Sequence, residues 1–270
     1  MLVEELNRHY STAGPFASVT AVDIKKYYYT DQDKVEFGIP KDGSPVAMFL
    51  SGGPDSALTA YMLAKSVKES GYHNPIHPIT TEFLARPYNI KYAWGVLRKV
   101  EELLDISFQQ HLIFPMPNHA LPITDEDKKV IMSYNINEYY VRYNISCVFN
   151  GLTANPPISE VGDTQYGDSS KERDDPEVIL QKLKNKRVQY PFLFSNKRVI
   201  SKFYDQFGLL DSLFPITRSC EAEMHETEYF TKDCFDVRSE ESCCWWCRER
   251  RWGFEKYRAD DFVFKLKGQK

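Results

Sequence analysis

The sequence predicts an α/β protein with a parallel sheet and a small cysteine-rich module towards its C-terminal end. Apolar segments of strand length alternate with amphipathic segments of helical period, which is the pattern of repeated strand–helix–strand units. The first such apolar segment leads through a serine–glycine turn into a helical pattern, and five of the six cysteines fall in the last quarter of the chain. We therefore divide the chain into an N-terminal extension (1–44), a parallel-sheet domain (45–215) and a cysteine-rich module with a C-terminal helix (216–270).

Composition limits the classes of protein to consider. The chain has 270 residues, of which 42% are hydrophobic and 27% charged, as in an ordinary globular protein with a sizeable core. The formal net charge of −4 gives no general attraction for nucleic acid, so nucleic-acid binding is not expected. No apolar run approaches the roughly 20 residues of a membrane-spanning helix, and the first residues lack the apolar core of a secretory signal. We expect a cytoplasmic protein without a membrane partner.

The elements follow in chain order from the spacing of apolar residues. In the extension, Ser18–Ile24 and Lys34–Ile39 have the length and composition of two short strands. The main domain then alternates between strand and helix patterns. The predicted strands are 45–50, 76–83, 106–114 and 145–149, and the predicted helices are 56–67, 89–104 and 125–143. A further helix is predicted over Lys197–Phe207, because Gly208 is a suitable C-cap.

The turn after the first core strand has the composition of an anion-binding site. It comprises Leu50, Ser51, Gly52, Gly53, Pro54, Asp55 and Ser56. Glycines let the main chain approach a phosphate without a Cβ in the way, and the following helix adds unpaired N–H groups and the positive end of its dipole. A carboxylate would repel a phosphate, so we expect Asp55 to cap backbone N–H groups or to bind a cation beside the phosphates. The alternative is a serine–glycine turn before an ordinary helix.

The hexapeptide from Ser51 to Ser56 resembles the SGGxDS loop of the ATP pyrophosphatase (PP-loop) superfamily. It lacks the lysine of the GxxxxGK[ST] phosphate loop, which makes it a different kind of site. The resemblance implies an adenine nucleotide alpha hydrolase-like fold for residues 45–215. It also implies that this domain binds ATP, cleaves the bond between the α- and β-phosphates and adenylates a substrate oxygen.

Further site residues are expected at the carboxyl ends of the strands, where ligands of open parallel sheets bind. Asn150, Gly151 and Thr153 follow the fourth core strand and are therefore expected beside the nucleotide. We expect Thr80 and Phe83, at the end of the second strand, to lie there as well. The alternative for the segment after the fourth strand is an exposed loop without function.

The cysteine pattern predicts a metal site. The expected ligands are Cys220, Cys244 and Cys247, with Cys234 as the best candidate for the fourth and Cys243 or His225 as alternatives. Cys244 and Cys247 have the CxxC spacing of a zinc knuckle. Four thiolates close a tetrahedral zinc site and leave no open position for water, so the expected function of the zinc ion is structural. The alternative is a set of reduced thiols without metal.

A second set of residues resembles the 7-cyano-7-deazaguanine synthases, the nitrile-forming enzymes of queuosine biosynthesis. The matching positions are the loop from Ser51 to Ser56, Pro191, Lys197, Thr217, Ser219, Cys220, Cys244, Cys247, Gly253 and Phe254. The resemblance implies a homodimer that binds ATP, Mg²⁺ and a structural Zn²⁺. The sequence departs from the family at Glu241, where the family has a cysteine, and at 150–157 (NGLTANPP), where the family has a substrate-recognition motif.

The same resemblance implies a reaction. A substrate carboxylate attacks the α-phosphorus of ATP, and pyrophosphate leaves from a site formed by the loop, including Gly52 and Gly53. The implied catalytic residues are Ser51, Asp55, Ser56 and Lys197. Lys197 and Mg²⁺ offset charge on the phosphate oxygens, and an ammonia donor converts the acyl-adenylate into an amide or a nitrile. The alternative for Lys197 is an exposed lysine at a helix start, and we expect Arg218 to line the acceptor pocket.

Two other functions stay open at this point. A PP-loop tRNA sulfur transferase would need a reactive cysteine at the loop and a basic RNA-binding face. Cys147, within an apolar segment, has the surroundings of a buried structural thiol. The basic cluster Lys182, Lys184, Lys186 and Arg187 is typical of a solvated face. The other candidate is a nucleotide-binding module without catalysis, which would form neither AMP nor pyrophosphate.

Overall fold

The computed structural model describes seven stretches of the chain. They are residues 24–82, 88–115, 137–162, 173–184, 187–220, 234–237 and 242–263. Phe83, expected beside the nucleotide, and His225, an alternative metal ligand, lie outside these residues. So do most of the predicted strand Ser18–Ile24, residues 125–136 of the third predicted helix, and Lys186.

A five-stranded parallel sheet forms the centre of the described structure, in the order β5–β4–β3–β6–β7. Its strands are β3 (Val46–Phe49), β4 (Ile76–Glu82), β5 (Leu112–Pro115), β6 (Cys147–Phe149) and β7 (Val188–Gln189). The prediction of an α/β protein with a parallel sheet is confirmed. The chain builds outward from β3 to β4 and β5, and then places β6 and β7 on the other side of β3. The strand order therefore reverses between β3 and β6, which creates a crevice at their carboxyl ends.

Helices connect and flank these strands. They are α1 (Pro54–Ser70), α2 (Tyr88–Leu104), α3 (Ile158–Val161), α4 (Pro176–Lys184), α5 (Lys197–Gln206), α6 (Cys234–Val237) and α7 (Trp245–Arg258), and residues 137–142 are also helical. α1 begins at Pro54, because proline lacks only an N–H that the first turn leaves unpaired. It ends before Gly71, whose φ of 77° lies in the left-handed region that glycine favours.

The third core strand is shorter than the sequence predicts. It spans Leu112–Pro115 rather than 106–114. Asp105, with a φ of 48°, follows the end of α2, and the Ile106 N–H donates to the Glu101 carbonyl (3.3 Å). The chain is thus still leaving the helix where a strand was predicted. Ile106 nevertheless packs against the core, which explains why this segment has the apolar pattern of a strand.

Two strands precede the parallel sheet as an antiparallel ribbon, β1 (Ile24–Tyr29) with β2 (Lys34–Ile39). The Tyr28 hydroxyl hydrogen bonds with Ser66 Oγ of α1 at 2.7 Å. The Phe37 ring stacks on Phe149 of β6 with 5.5 Å between centroids. The ribbon therefore contributes aromatic side chains to the main core. Within the described residues, no helix combines the length and apolarity that crossing a membrane requires.

Candidate nucleotide site and cysteine cluster

The serine–glycine loop joins β3 to α1 at the carboxyl edge of the sheet. Ser51 and Ser56 approach each other with 3.2 Å between hydroxyl oxygens, and Ser56 Oγ donates to the Gly53 carbonyl at 3.0 Å. Gly53 is the N-cap of α1, and no side chain caps the helix. Asp55 therefore does not act as the helix cap, which was one of its two expected functions. The first N–H groups of α1 remain available to an anion.

The two glycines of the loop are required for different reasons. Gly52 has a φ of 82°, and a Cβ there would lie 2.5 Å from Tyr92 Cβ of α2. Gly53 has an ordinary extended conformation, and a Cβ there would make only van der Waals contacts at 3.4 Å. Gly52 thus permits the loop to pack on α2, whereas Gly53 keeps a wall of the site free of side-chain atoms.

A cavity of about 470 Å³ opens in front of this loop, in the crevice where the strand order reverses. It is lined by loop residues, by Lys197 of α5 and by the segment 150–153 that follows β6. Gly151 brings this segment so close to α1 that a Cβ would lie 2.6 Å from Thr59 Oγ1. The size of the cavity is within the usual range for a small-molecule site.

Lys197 reaches the loop from the first position of α5. Asn196 caps this helix by accepting from the N–H groups of Arg198 and Val199. The Lys197 side chain is 6% exposed, and its ammonium group donates to Asp55 Oδ2. A lysine is unfavourable beside the positive end of a helix dipole, and this carboxylate compensates for the position. The alternative of an exposed lysine does not hold in the structure.

A second ion pair extends the charged group from the loop to α7. Glu249 is 1% exposed, and its Oε2 lies 3.7 Å from the Lys197 ammonium. Its Oε1 accepts from Arg173 Nη2 at 2.6 Å, and Arg173 also donates to the carbonyls of Thr153 and Ala154, both at 2.8 Å. Two carboxylates thus alternate with two cations, so that each buried charge has an opposite partner.

Asp55 retains a free coordination position. Burial raises the pKa of its carboxyl group above the ordinary 3.8, against the opposing attraction of Lys197. Its Oδ1 is buried and accepts no hydrogen bond in the described structure, although the residue lines the cavity. An unpaired carboxylate oxygen at the edge of this cavity is a suitable ligand for a magnesium ion.

The cysteine cluster lies at the start of α7. Cys220, Cys234, Cys244 and Cys247 are all buried, and their sulfur atoms lie within 4.8 Å of one another. The sulfurs of Cys220 and Cys234 are 3.7 Å apart. Zinc–sulfur bonds of about 2.3 Å in a tetrahedron place the sulfurs about 3.8 Å apart, so the cluster fits a single ion.

The four thiol groups also shift one another's pKa values in opposite directions. Hydrogen bonds from neighbouring thiols, that of Cys220 foremost, lower the pKa of Cys234. The interaction with Cys220 instead raises the pKa of Cys244. Without a metal ion, the cluster would hold its protons unevenly, because adjacent thiolates repel each other. Cys243 is buried next to the cluster but is not a member of the four-sulfur group.

Comparison with known proteins shows a distant likeness to a solved structure. No family profile matches the chain, and no curated protein is similar in sequence. Among solved structures, the U34-tRNA thiolase NcsA from Methanococcus maripaludis, with its [4Fe-4S] cluster, is similar with a TM-score of 0.40 and 16% sequence identity. The match covers 63% of this chain and 58% of that chain, which is less than two thirds of the thiolase's length. A likeness at this level assigns no substrate, cofactor or partner.

The structure brings most of the predicted nucleotide residues to the cavity. Those that line it are Ser51, Gly53, Pro54, Asp55, Ser56, Asn150, Gly151, Thr153 and Lys197. Leu50, Gly52 and Thr80 do not line it in the described structure. Thr80 Oγ1 donates to the Leu50 carbonyl at 2.6 Å, so these two buried residues join β4 to the end of β3. Gly52 packs on α2 instead.

Sequence reasoning missed Arg173 and Glu249. One signal was available for Glu249, because Gly253 stands one turn later in the same helix, and glycine inside a helix marks a close approach. A Cβ at Gly253 would lie 2.4 Å from Lys197 Cβ. α7 therefore lies directly on the start of α5, which brings Glu249 within reach of the Lys197 ammonium. No comparable signal pointed to Arg173.

Proposed function

We propose that the protein is an ATP-dependent adenylating enzyme of the PP-loop type. The observation that carries this proposal is the position of the Ser51–Ser56 loop. It joins the central strand to a helix without a side-chain cap, and it opens on a cavity that is also lined by Lys197, whose ammonium group contacts Asp55 of the loop. A serine–glycine turn before an ordinary helix would need neither the cavity nor the buried lysine.

The residues of the chain suit the release of pyrophosphate. The hydroxyl groups of Ser51 and Ser56 and the first N–H groups of α1 would donate to the departing phosphates. Lys197 would transfer its interaction from Asp55 to the phosphate oxygens as negative charge develops there. Asp55 would help to hold a magnesium ion, which would supply further charge neutralisation.

The proposed acceptor is a carboxylate on a flat, deazapurine-like heterocycle, with ammonia as the nitrogen donor. Support for this class comes from the combination of the loop with Pro191, Lys197, Cys220 and the CxxC pair, as in the 7-cyano-7-deazaguanine synthases. Trp246 also lines the cavity and would supply an aromatic ring for stacking. A homodimer and a cytoplasmic location remain part of the proposal.

Zinc is the proposed occupant of the cysteine cluster. Cys220, Cys234, Cys244 and Cys247 would hold it as a closed tetrahedral site, which supplies stability rather than chemistry. No step of the reaction passes through it.

A sulfur transferase is less well supported, because it needs a reactive thiol. Cys147 lies in β6, and burial raises the pKa of its thiol to about 12. The group therefore stays protonated and shielded at neutral pH. Sulfide-dependent turnover of a tRNA acceptor would overturn this reasoning.

The proposal is tested by acceptor-dependent formation of AMP and pyrophosphate. The assay supplies ATP, magnesium, ammonium and 7-carboxy-7-deazaguanine, and it follows the product mass. A nitrile or an amide supports the proposed acceptor. If AMP forms only with a different carboxylate, the adenylation step is supported and the proposed acceptor is wrong. If no carboxylate gives AMP, the protein is a nucleotide-binding module without catalysis.

Loop variants test whether the activity depends on these residues. Ser56→Ala should lower turnover about 100-fold through the loss of one donor to the departing phosphates. Gly53→Val should abolish turnover without unfolding the protein, because its Cβ has room but its branches enter the cavity. Gly52→Ala is the structural contrast and should lower thermal stability instead. Ser212→Ala, away from the cavity, is the matched control. Unchanged pyrophosphate release in both Ser56→Ala and Gly53→Val would remove the nucleotide from this loop.

A further inference from the structure

We propose that Arg218 is the residue that binds the pyrophosphate portion of the nucleotide, a function that rests on the proposed ATP site. The residue follows Thr217 in the TRSC segment, and its backbone N–H donates to the Gly52 carbonyl at 2.9 Å. Its carbonyl lies 3.4 Å from the position of a Gly53 Cβ. The TRSC segment is therefore fixed directly against the phosphate loop, and Arg218 lines the cavity.

The charges around the cavity distinguish Arg218 from the other two basic residues that line it in the described structure. Among the described residues that line it, two are acidic and three are basic. Lys197 and Arg173 are each paired with Asp55 or Glu249. Arg218 has no carboxylate partner in the described structure, so it supplies the net positive charge of the site. A polyphosphate carries several negative charges and requires such a surplus.

The guanidinium group of Arg218 stacks on aromatic rings, but its N–H donors have no hydrogen-bond acceptors in the described structure. Arg218 is 7% exposed, and none of its three guanidinium nitrogens makes a hydrogen bond in the described part of the chain. Its guanidinium carbon lies 4.3 Å from the centroid of the Tyr88 ring and 5.5 Å from that of Tyr92. Buried charged donors without acceptors are costly, and an arriving anion would remove that cost.

Because the guanidinium group is stacked on the tyrosine rings, the Arg218 side chain must rotate before it can bind an anion in the cavity. The nitrogens are shielded from solvent where they rest on the tyrosine rings, so the side chain must turn toward the cavity to reach an oxyanion. Side-chain rotations of this kind are fast compared with turnover. Ser219, the next residue, also lines the cavity, and its hydroxyl is buried without a hydrogen-bond partner. The pair offers two adjacent unsatisfied donors to the same anion.

The experiment measures binding by calorimetry, with magnesium present and without acceptor. The ligands are ATP, inorganic pyrophosphate and AMP, and the variants are Arg218→Met, Arg218→Lys and Arg98→Gln. Arg98 is the matched control, because its side chain is 64% exposed on α2 and its loss changes the net charge equally. Arg218→Met should bind pyrophosphate and ATP about 10- to 100-fold more weakly, with AMP affinity unchanged. The affinity of Arg218→Lys for pyrophosphate and ATP should lie between those of Arg218→Met and the wild type.

The outcomes separate this inference from the proposed function. If the wild type binds neither ATP nor pyrophosphate, both are wrong. If the wild type binds them and Arg218→Met binds them equally well, the nucleotide site stands and this inference is overturned. Equal weakening of AMP and pyrophosphate would mean general damage to the site and would also overturn it. Thermal unfolding is followed in parallel. If Arg218→Met fails to fold, the same comparison is made with Arg218→Lys, in which pyrophosphate must weaken more than AMP.

Discussion

Two buried clusters of four side chains adjoin the cavity, and they satisfy their polar groups in opposite ways. In the charged cluster, Asp55, Lys197, Glu249 and Arg173 alternate in sign. In the cysteine cluster, four groups of one kind converge with no opposite charge among them. The first pairs each of its charges within the protein, whereas the second has no opposite charge of its own and is the proposed site of a metal ion. Both depend on α7, which provides Cys247 to one and Glu249 to the other.

This difference means that the two clusters should respond to different perturbations. Removing one member of the charged cluster leaves a buried charge without its partner, whatever metal is present. Removing the metal leaves the charged cluster intact and affects only the thiols. Since both are joined through one helix, damage to either lowers stability, and the readout that separates them is metal content.

Loss of the metal should have the largest effect. Structural zinc in small finger domains contributes a binding free energy on the order of 10 kcal/mol. We expect about one zinc ion per chain, and a chelator should lower the unfolding temperature before it lowers the specific activity of the protein that is still folded. Metal analysis and thermal unfolding check this expectation.

Two cysteine variants sharpen that test. Cys247→Ser should lose the metal and most of the stabilisation. Cys243→Ser is the matched control, because Cys243 is buried beside the cluster without belonging to it, and it should retain the metal. A metal-free wild-type protein with unchanged stability, or metal loss in Cys243→Ser alone, would contradict the assignment.

Breaking the charged cluster should have the next largest effect. Glu249→Gln leaves Arg173 and Lys197 with too little negative charge around them, and we expect the free energy of unfolding to fall by about 3 kcal/mol. Denaturant unfolding measures the change. Zinc content should stay at the wild-type level, which distinguishes this defect from loss of the cysteine cluster.

A double variant and a surface control complete this prediction. Replacement of both Arg173 and Glu249 by leucine should cost less than the sum of the single replacements, since no unpaired charge remains. Glu255→Gln, which removes an exposed acid of the same helix, should change the free energy of unfolding by less than about 0.5 kcal/mol. Additive effects of the two leucine variants would show that the pair is not coupled.

The smallest effect concerns pH. The folded protein holds the Asp55 proton more tightly than the unfolded chain does, because burial raises the pKa of this carboxyl group. Its contribution should therefore make the protein less stable as pH rises from the ordinary carboxylate range through the folded pKa. Asp55→Asn should remove that part of the slope. Free energies of unfolding measured across this range for both proteins, without ligand, check the sign, and identical slopes would contradict it.

The sequence predicts features that are carried by neighbouring residues. The strand, the glycine turn and the start of α1 lie within about a dozen consecutive positions, so their pattern predicts the strand–turn–helix junction that the structure shows. The CxxC pair is similarly local. The sequence predicts that β5 starts at residue 106, whereas the strand starts at Leu112. Ile106 packs into the core from an irregular segment, and apolar spacing does not distinguish such a segment from a strand.

The charged cluster could not be predicted from the sequence, because its members are far apart along the chain. Asp55 and Lys197 are 142 positions apart, and Arg173 and Glu249 are 76 positions apart. An isolated acid in a helix such as α7 is most often solvated, and only the packing of Gly253 against Lys197 turns Glu249 inward. The pairing is a property of tertiary structure, so no local pattern contains it.

The position of α7 also affects how the protein is made. A ribosome releases the phosphate loop early, yet Glu249 and the last two ligands of the cysteine cluster emerge some two hundred residues later. Until then, Arg173 and Lys197 in the nascent chain have no Glu249 to separate and neutralise them. Domains generally fold as units from the N-terminal side during synthesis. A nascent chain without α7 would therefore present the loop and Lys197 without Glu249, which would tie the proposed ATP chemistry to the synthesis of this helix.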